Sequence, residues 1–349
     1  MPPLAASDTR TPNAFGSLPV ELFLNILDQL VGTRDGRLPV AYEPSHSTTK
    51  ALRALTLVSR TVYLCASRRL YANCLYLNDV MRHHHFRRTL GLDLGHHPLS
   101  LEYGQAGRNE EIFNEADIPQ HVVSLFLSPE KTENCGMTPR VRLPHVIDLC
   151  LAVGSTLKRL VIDINPVYVP ASEQALLKPH CSRRNIFLHM PNLEELVCSY
   201  DTSDYFRYPP PNLKRLAMTA NDMEPTHLDF YFMVSSLEKL FILRPKNLNA
   251  KHIDEFFDRH NGRHIDIVLV DVNNNHRTPQ STRDWSSDDK VTIWEADVPR
   301  SFYGDEEDLI LCDQWIWTHG VKGDLWDQEK RRMRSWSEIE RSQAEPAAL

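Results

Sequence analysis

The first strong pattern of apolar and polar positions runs from Leu18 to Leu30. Its polar residues, Glu21, Asn25 and Asp28, are spaced i, i+4, i+7 and therefore form one narrow stripe on an α-helix. The remaining positions are almost all apolar, whereas a surface helix normally buries one face and exposes the other. This helix therefore either lies deep in a core or shares its apolar surface between its own domain and a partner.

Two further helical patterns follow a polar segment that contains proline. The polar segment spans Val31–Thr49, and helical spacing of apolar residues resumes at Ala51–Arg60. A third helical stretch carries Val62 and Leu70 on its apolar side. The pattern predicts a three-helix module over residues 15–73, with an insertion between its first two helices.

The order of residues in this module resembles the F-box. Leu-Pro-x-Glu-Leu at 18–22 is followed by Leu-x-Leu-Val-Ser-Arg at 55–60 and by Leu-Tyr at 70–71. The F-box docks on the Skp-type adaptor of cullin–RING ubiquitin ligases, so the resemblance implies that adaptor and the cullin as partners. Some apolar residues of the motif must hold the three helices together, and the others would touch the adaptor. By resemblance, the expected adaptor contacts are Leu18, Pro19, Leu22, Ile26, Leu27, Leu55 and Val58.

The segment Val31–Thr49 is a departure from the F-box pattern, which usually joins its first two helices by a few residues. A polar loop of this size costs little closure entropy, so the module can tolerate it. Adaptor docking then depends on whether the segment leaves the apolar side of the first helix open.

A short leucine pattern recurs through the middle of the chain. Four segments read Leu-x-x-Leu-x followed by an apolar residue, beginning at Leu157, Leu193, Leu213 and Leu237, and a weaker copy begins at Val122. The copies at Leu157 and Leu213 continue to an asparagine and satisfy the template L-x-x-L-x-L-x-x-N-x-L with conservative replacements. The pattern resembles a leucine-rich repeat array, in which short strands pack their apolar residues into one shared core.

Helical segments are predicted between these strands, and the spacing of the repeats is irregular. Residues 167–185 form a candidate insertion between two repeats. We therefore predict an α/β fold in which the helical module is followed by an irregular leucine-rich-repeat-like α/β solenoid over residues 74–272. The alternative is an ordinary layered α/β protein in which the leucine pattern recurs by chance. The predicted helices are 140–153, 225–234 and 250–260, and the last is followed by a strand at 264–270.

The C-terminal region differs from the rest in its tryptophans. We predict that residues 273–342 form a Trp-rich cap on the end of the solenoid, because a terminal repeat must be covered. A recognition surface for a target is the alternative, since tryptophan is enriched at binding hot spots. The six tryptophans of the chain are Trp285, Trp294, Trp315, Trp317, Trp326 and Trp336.

Local patterns assign elements within this region. A polar segment at 273–290 precedes a strand at 291–294, and residues 309–317 form a short apolar element. A charged helix is predicted over 324–341. Disorder is predicted for the two ends of the chain, at 1–14 and 343–349.

Composition and charge narrow the classes of partner. The chain has 349 residues, 42% of them hydrophobic, and a formal net charge of −7. A nucleic-acid binder normally carries a basic face, whereas the basic clusters here are scattered, so we expect no nucleic-acid partner. The N-terminus lacks the apolar stretch of a secretory signal, and no run of 18 apolar residues could span a membrane, so no membrane partner is expected.

Seven cysteines lie far apart, without a Cys-x-x-Cys pair. Several fall inside apolar periodic segments, where a free cysteine behaves as a small buried hydrophobe. Widely spaced cysteines in apolar segments are typical of proteins in a reducing compartment, so we predict a cytoplasmic or nuclear protein.

Candidate chemistry is sparse. His83-His84-His85, with His96-His97 nearby, invites a metal hypothesis, but zinc sites normally combine such residues with Cys or carboxylate ligands at defined spacings. A solvated loop is the preferred interpretation of the histidines and of the acidic run Asp305–Asp308. The chain has no Walker loop, no Gly-x-Gly-x-x-Gly and no Gly-x-Ser-x-Gly. We therefore predict no catalytic residue, no cofactor and no metal site.

The sequence thus predicts a non-catalytic substrate-recognition subunit of an SCF-type cullin–RING ubiquitin ligase. The F-box-like module would bind the Skp-type adaptor, and the repeat region would hold an unknown protein target. A repeat scaffold whose F-box-like segment is only a structural cap is the alternative. A metal-dependent enzyme that uses the histidine cluster is a third hypothesis.

Overall fold

The fold is described from a computed structural model. The described residues are 19–32, 36–92, 115–129, 141–164, 185–219, 222–243, 245, 247–271, 283–286, 288–298 and 308–344. Several sequence predictions concern residues outside these ranges: Leu18, His96-His97, the disorder predicted for 1–14 and 345–349, the insertion predicted at 167–184, the template asparagines Asn165 and Asn221, and the acidic residues 305–307.

Three helices form the N-terminal module: α1 (Val20–Val31), α2 (Ser47–Leu55) and α3 (Arg60–Asn73). The carbonyl of Pro19 accepts hydrogen bonds from the N–H groups of Leu22 and Phe23, so the proline directly precedes α1. The predicted second helix is shifted, because it begins four residues earlier than Ala51 and ends at Leu55 rather than Arg60.

A small core holds these helices together. It consists of Leu27, Val31, Tyr42 and Leu52, with Phe23 packed against it. The Tyr42 hydroxyl donates a hydrogen bond of 2.6 Å to the carbonyl oxygen of Val31. Because Tyr42 belongs to the predicted insertion, part of that segment is a structural element of the module.

A sheet of nine strands, counted over the described residues, runs through the rest of the chain in sequence order. Strands β1 to β8 are parallel, and β9 pairs with β8 in the antiparallel direction. The strands are β1 (Tyr76–Leu77), β2 (Ser124–Leu127), β3 (Arg159–Ile162), β4 (Glu195–Ser199), β5 (Arg215–Thr219), β6 (Lys239–Leu243), β7 (Ile265–Asp271), β8 (Val291–Asp297) and β9 (Arg331–Arg332).

This order confirms the α/β class and a solenoid-like succession of strands. Each parallel strand pairs with the next strand along the chain, as stacking of similar units requires. The second leucine of each pattern lies in one row across the sheet, because Leu160 pairs with Leu196, Leu196 with Leu216, and Leu216 with Leu240. One sheet also extends through β8 and β9, so the C-terminal region adds strands to it.

Three helices between the strands lie within the segments predicted to be helical, at Leu143–Val153, Pro225–Phe232 and Ala250–Arg259. Two short 3₁₀ helices lie at Ile186–His189 and Leu325–Asp327. The remaining helices are α4 (Val80–Thr89), α5 (Ile118–His121), α6 (Leu143–Val153), α7 (Asp201–Tyr205), α8 (Pro225–Phe232), α9 (Ala250–Arg259), α10 (Asp308–Lys322) and α11 (Trp336–Ala344).

The two faces of the sheet have different covers. Alternate strand residues such as Leu125 and Leu160 face the helices that precede the strands, and we call this the repeat-helix face. The intervening residues pack against the C-terminal part of the chain, and we call this the C-terminal face. Its central residues are Phe126, Val161, Val197, Ala217 and Phe241.

A polar residue precedes the leading leucine of each clear repeat and ties it to the repeat before. The Asn192 amide donates to the carbonyl of Ser155 at 2.6 Å, and the Asn212 amide donates to the carbonyl of Pro191 at 2.8 Å. The Ser236 hydroxyl donates to the carbonyl of Leu213, which is itself a leading leucine. Each bond satisfies a carbonyl at or just before the leading leucine of the preceding repeat.

Three local predictions are wrong. The charged helix expected over 324–341 is a 3₁₀ turn, the strand β9 and then α11, because the N–H of Met333 bonds to the carbonyl of Ile293 in β8. The histidine triplet lies on α4 rather than in a solvated loop, and His83 is fully buried. Residues 343 and 344, expected in a disordered tail, are the last residues of α11.

Candidate interaction surface

One side of α1 is apolar and exposed to solvent. Leu22 and Ile26 retain 52% and 56% of their accessible surface, and Val20, in the first turn of the helix, retains 49%. The helix buries Phe23 and Leu27 on its other apolar side, against the core of the module. The spacing i, i+4 places Leu22 and Ile26 on the same side, one turn apart. The helix therefore has more apolar surface than the described residues of its domain cover, as its sequence predicts.

One residue of the polar stripe of α1 contacts another helix of the module. Asp28 forms an ion pair of 2.7 Å with Arg69 of α3. Both side chains are partly exposed, so this pair contributes about 1 kcal/mol or less to stability.

A second exposed apolar site lies in the turn between α2 and α3. Leu57 retains 86% and Val58 49% of their accessible surface. The turn is ordered by backbone hydrogen bonds from Leu57 to the carbonyl of Ala54 and from Val58 to the carbonyl of Leu55. Contact of these two apolar side chains with water is unfavourable, and a partner protein that covered them would remove it.

The structure divides the expected adaptor contacts into two groups. Pro19, Leu22, Ile26 and Val58 are exposed. Leu27 is fully buried in the core of the module, and Leu55 is partly buried against the same core, so both hold the helices together. Sequence reasoning did not select Val20 and Leu57, although an apolar residue in the turn after a helix is a usable signal. We call Pro19, Val20, Leu22, Ile26, Leu57 and Val58 the module patch.

The described part of the insertion turns away from this patch. Val40 and Ala41 are buried in the cluster that covers the C-terminal face of the sheet. The Val40 N–H donates to the carbonyl of Val321 in α10 at 2.8 Å. Residues 39–42 therefore lie between the module and the sheet, and the side of α1 that carries Leu22 and Ile26 stays exposed.

The C-terminal face of the sheet is occupied by the chain itself. Ile316 of α10 is fully buried there, together with Leu325 and Trp326. The Trp326 ring meets the Phe241 ring edge to face, with 5.5 Å between the ring centres. The tryptophan-rich region thus covers a face of the sheet, in addition to forming its last strands.

The tryptophan indoles on this face are held by charged strand residues. The Trp326 indole N–H donates to the carboxylate of Glu195 at 3.2 Å. The Trp294 indole N–H donates to Asp266 at 2.8 Å, and Lys330 lies over the Trp294 ring. The pKa of Asp266 is held below its usual value by hydrogen bonds from Lys330 and Trp294, which outweigh the opposing effect of burial. These groups are satisfied internally, which is typical of a structural contact.

The repeat-helix side carries a separate row of exposed apolar residues. Leu151, Leu188, Tyr208 and Met233 are each more than one-third exposed. Each lies four to six residues before the leading leucine of its repeat, so the row recurs once per repeat over four repeats. With the opposite face covered, this side offers apolar surface to a large partner.

Two of the described cysteines, Cys150 and Cys198, are fully buried. Burial raises the pKa of the Cys150 and Cys198 thiols to about 12, which keeps both protonated near neutral pH. Both lie in the core of the repeat-helix face, as a buried hydrophobe would. Over the described ranges, no group of three His, Cys, Asp or Glu side chains is arranged to hold a metal ion.

Comparisons of the chain with protein-family models, with curated proteins and with solved structures found no match. Within the part of the chain that the structure describes, no helix has the length and apolar character needed to cross a membrane.

Proposed function

We propose that the protein is a non-catalytic substrate receptor of an SCF-type cullin–RING ubiquitin ligase. The N-terminal module docks on the Skp-type adaptor, which is joined to the cullin, and the repeat region holds a protein target. The contribution to the reaction is positional, because tethering raises the concentration of the target near the ubiquitin-loaded enzyme. Such a ligase acts in the cytoplasm or the nucleus.

The observation that carries this proposal is the exposed apolar side of α1. Leu22 and Ile26 lie within the motif that resembles the F-box, and both are more than half exposed. Leu57 and Val58 add apolar surface within the second part of the same motif. Burial of such side chains against a partner stabilises a complex by about 1.5–3 kcal/mol each. The burial of Val40 and Ala41 of the insertion against the sheet supports docking, because these residues lie away from Leu22 and Ile26.

Binding of the purified Skp-type adaptor to the full chain tests the proposal. The double variant Leu22→Ser, Ile26→Ser should weaken binding about 100-fold or more, as measured by isothermal titration calorimetry, because each change removes an apolar anchor. Its circular dichroism and thermal unfolding should stay close to those of the parent, since both residues are exposed.

The matched control is Leu151→Ser, Leu188→Ser, which removes two exposed leucines of the repeat-helix side. That variant should bind the adaptor like the parent chain. Equal affinity of the parent and of the Leu22→Ser, Ile26→Ser variant would sink the assignment of the module patch.

A repeat scaffold is the second candidate, and one observation favours it. The α3 helix packs on the start of the sheet, where the Ser124 hydroxyl donates to the carbonyl of Ala72 at 2.9 Å and Tyr71 joins the repeat core. A helical module in this position can serve as an end cap. In that case the parent chain forms no complex with the adaptor at micromolar concentration, and the two candidates are distinguished by one titration.

A further inference from the structure

The segment 308–327, which we call the C-terminal strap, contacts both the sheet and the predicted insertion. On the sheet side, Ile316, Leu325 and Trp326 are buried against the C-terminal face. Trp326 is anchored at two polar points, because its indole donates to Glu195 and its carbonyl accepts a hydrogen bond of 3.3 Å from Lys239. The strap is therefore fixed to the middle strands of the sheet.

The strap also touches the insertion directly. The Val321 carbonyl accepts the hydrogen bond from the Val40 N–H. Gly323 has a positive φ of 76°, and a Cβ placed on it would lie 2.6 Å from the carbonyl oxygen of Leu38. No side chain fits at that distance, so glycine at 323 is what allows the strap and the insertion to approach so closely.

The sheet holds the same insertion from a third direction. The Arg159 guanidinium donates hydrogen bonds to the carbonyls of Leu38 and Pro39 at 2.6 and 2.9 Å. Arg159 begins β3, which the strap crosses. Charge-assisted bonds of this kind are among the stronger hydrogen bonds of proteins.

The insertion, finally, is bound to the helices of the module. The Tyr42 N–H donates to the carbonyl of Asn73 at the end of α3, and the Tyr42 hydroxyl donates to the carbonyl of Val31 at the end of α1. Tyr42 is buried. A continuous set of contacts therefore runs from the sheet through the strap and residues 38–42 to two of the three helices.

We propose that the C-terminal strap locks the orientation of the N-terminal module relative to the sheet. The lock joins residues 38–42 to the strap. Without it, the module is still held to the sheet through α3 and through the hydrogen bonds of Arg159. The direction in which the module patch faces is then set by residues near the C-terminus. This inference does not depend on adaptor binding.

The variant Gly323→Ala separates the strap from the insertion, because its methyl group meets the Leu38 carbonyl. The matched control is Gly36→Ala, since Gly36 also has a positive φ, of 72°, but no atom within 4 Å of an added Cβ. Both variants carry the backbone strain of a positive φ, and they differ in the steric contact.

Two measurements on the full chain show whether the module has become mobile relative to the sheet. Spin labels on a noncanonical amino acid at the exposed positions Lys50 and Lys251 report the distance between the module and the repeat region. The distance distribution should be narrow in the parent and in Gly36→Ala, and clearly broader in Gly323→Ala. Hydrogen–deuterium exchange of residues 38–42 should be about tenfold faster in Gly323→Ala, because their hydrogen bonds open more often.

The proposal is overturned if the strap amides of Gly323→Ala exchange faster while the distance distribution keeps its width. Should Gly323→Ala leave the strap protected, Trp326→Ala replaces it, because it removes the anchor on Glu195 and Phe241. The control is then Trp336→Ala, since Trp336 is 40% exposed and lies on α11. A broader distance distribution in Trp326→Ala than in Trp336→Ala supports the proposal, and equal widths overturn it.

Discussion

His83 is a buried histidine in the described core whose two ring nitrogens have no hydrogen-bond partner among the described residues. Burial is the main reason that its pKa is lowered to about 3, and the neighbouring His84, Arg87 and His145 lower it further. Its side chain therefore acts as an aromatic core residue and stays neutral. A group whose pKa falls on folding makes stability depend on pH.

The sign of this dependence can be tested. Between pH about 6.5 and 3 the unfolded chain binds a proton at His83 that the folded chain excludes. Protonation of His83 in the unfolded chain therefore does not lower the free energy of unfolding above pH 6.5. Below that pH it lowers the free energy of unfolding by up to about 1.4 kcal/mol per pH unit. Replacing His83 with leucine should reduce the loss of stability between pH 7 and pH 5, as measured by urea unfolding. The exposed neighbour provides the control, because His85→Leu should keep the slope of the parent.

At the scale of the element, α1 combines two apolar sides with opposite roles. Leu27 is fully buried among Val31, Tyr42 and Leu52, whereas its neighbour Ile26 is 56% exposed. Sequence periodicity identifies both as apolar positions of one helix. Which of the two positions is buried depends on the residues that contact the helix in the folded module.

Alanine substitutions at these adjacent positions should therefore have different costs. Leu27→Ala removes buried methyl groups and leaves a cavity, so unfolding by urea should show a loss of about 2–5 kcal/mol. Ile26→Ala should change stability by about 0.5 kcal/mol or less, because it alters exposed surface. Equal losses in the two variants would contradict the division of α1 into a packed side and an exposed side.

At the scale of the whole molecule, the sheet lies between two covers that come from different parts of the chain. The repeat helices cover one face, and α10 with the following turn covers the other. Helix α10 approaches the sheet closely at Gly320, where an added Cβ would lie 3.1 Å from a methyl group of Val197. The contact leaves no room for a branched side chain.

A double-mutant cycle tests this contact. Gly320→Val should destabilise the protein by about 1–3 kcal/mol, because its methyl groups press against Val197. Adding Val197→Ala should restore part of the loss, so that the double variant is more stable than the sum of the single changes requires. Strict additivity in thermal or urea unfolding would mean that α10 does not pack on β4 at this point.

Much of the architecture could be predicted because it depends on local pattern. The leucines at 160, 196, 216 and 240 hold the same place in successive copies of the Leu-x-x-Leu pattern. Each strand pairs with the next strand along the chain, so the order of the strands follows the order of the copies. The apolar spacing of α8 and α9 likewise specifies a helix wherever it is placed. The F-box-like identity of the module stays a prediction, and so does its adaptor.

The sequence by itself determined the α/β class, the succession of strands and the surplus of apolar surface on α1, since each follows from the spacing of neighbouring residues. Tertiary structure decided which side of α1 is buried, where the insertion lies and what covers the second face of the sheet. Val40 meets Val321, and Trp326 meets Glu195, across long stretches of chain. No local periodicity specifies such contacts, because they depend on the shape and polarity of surfaces that exist only after the sheet has formed.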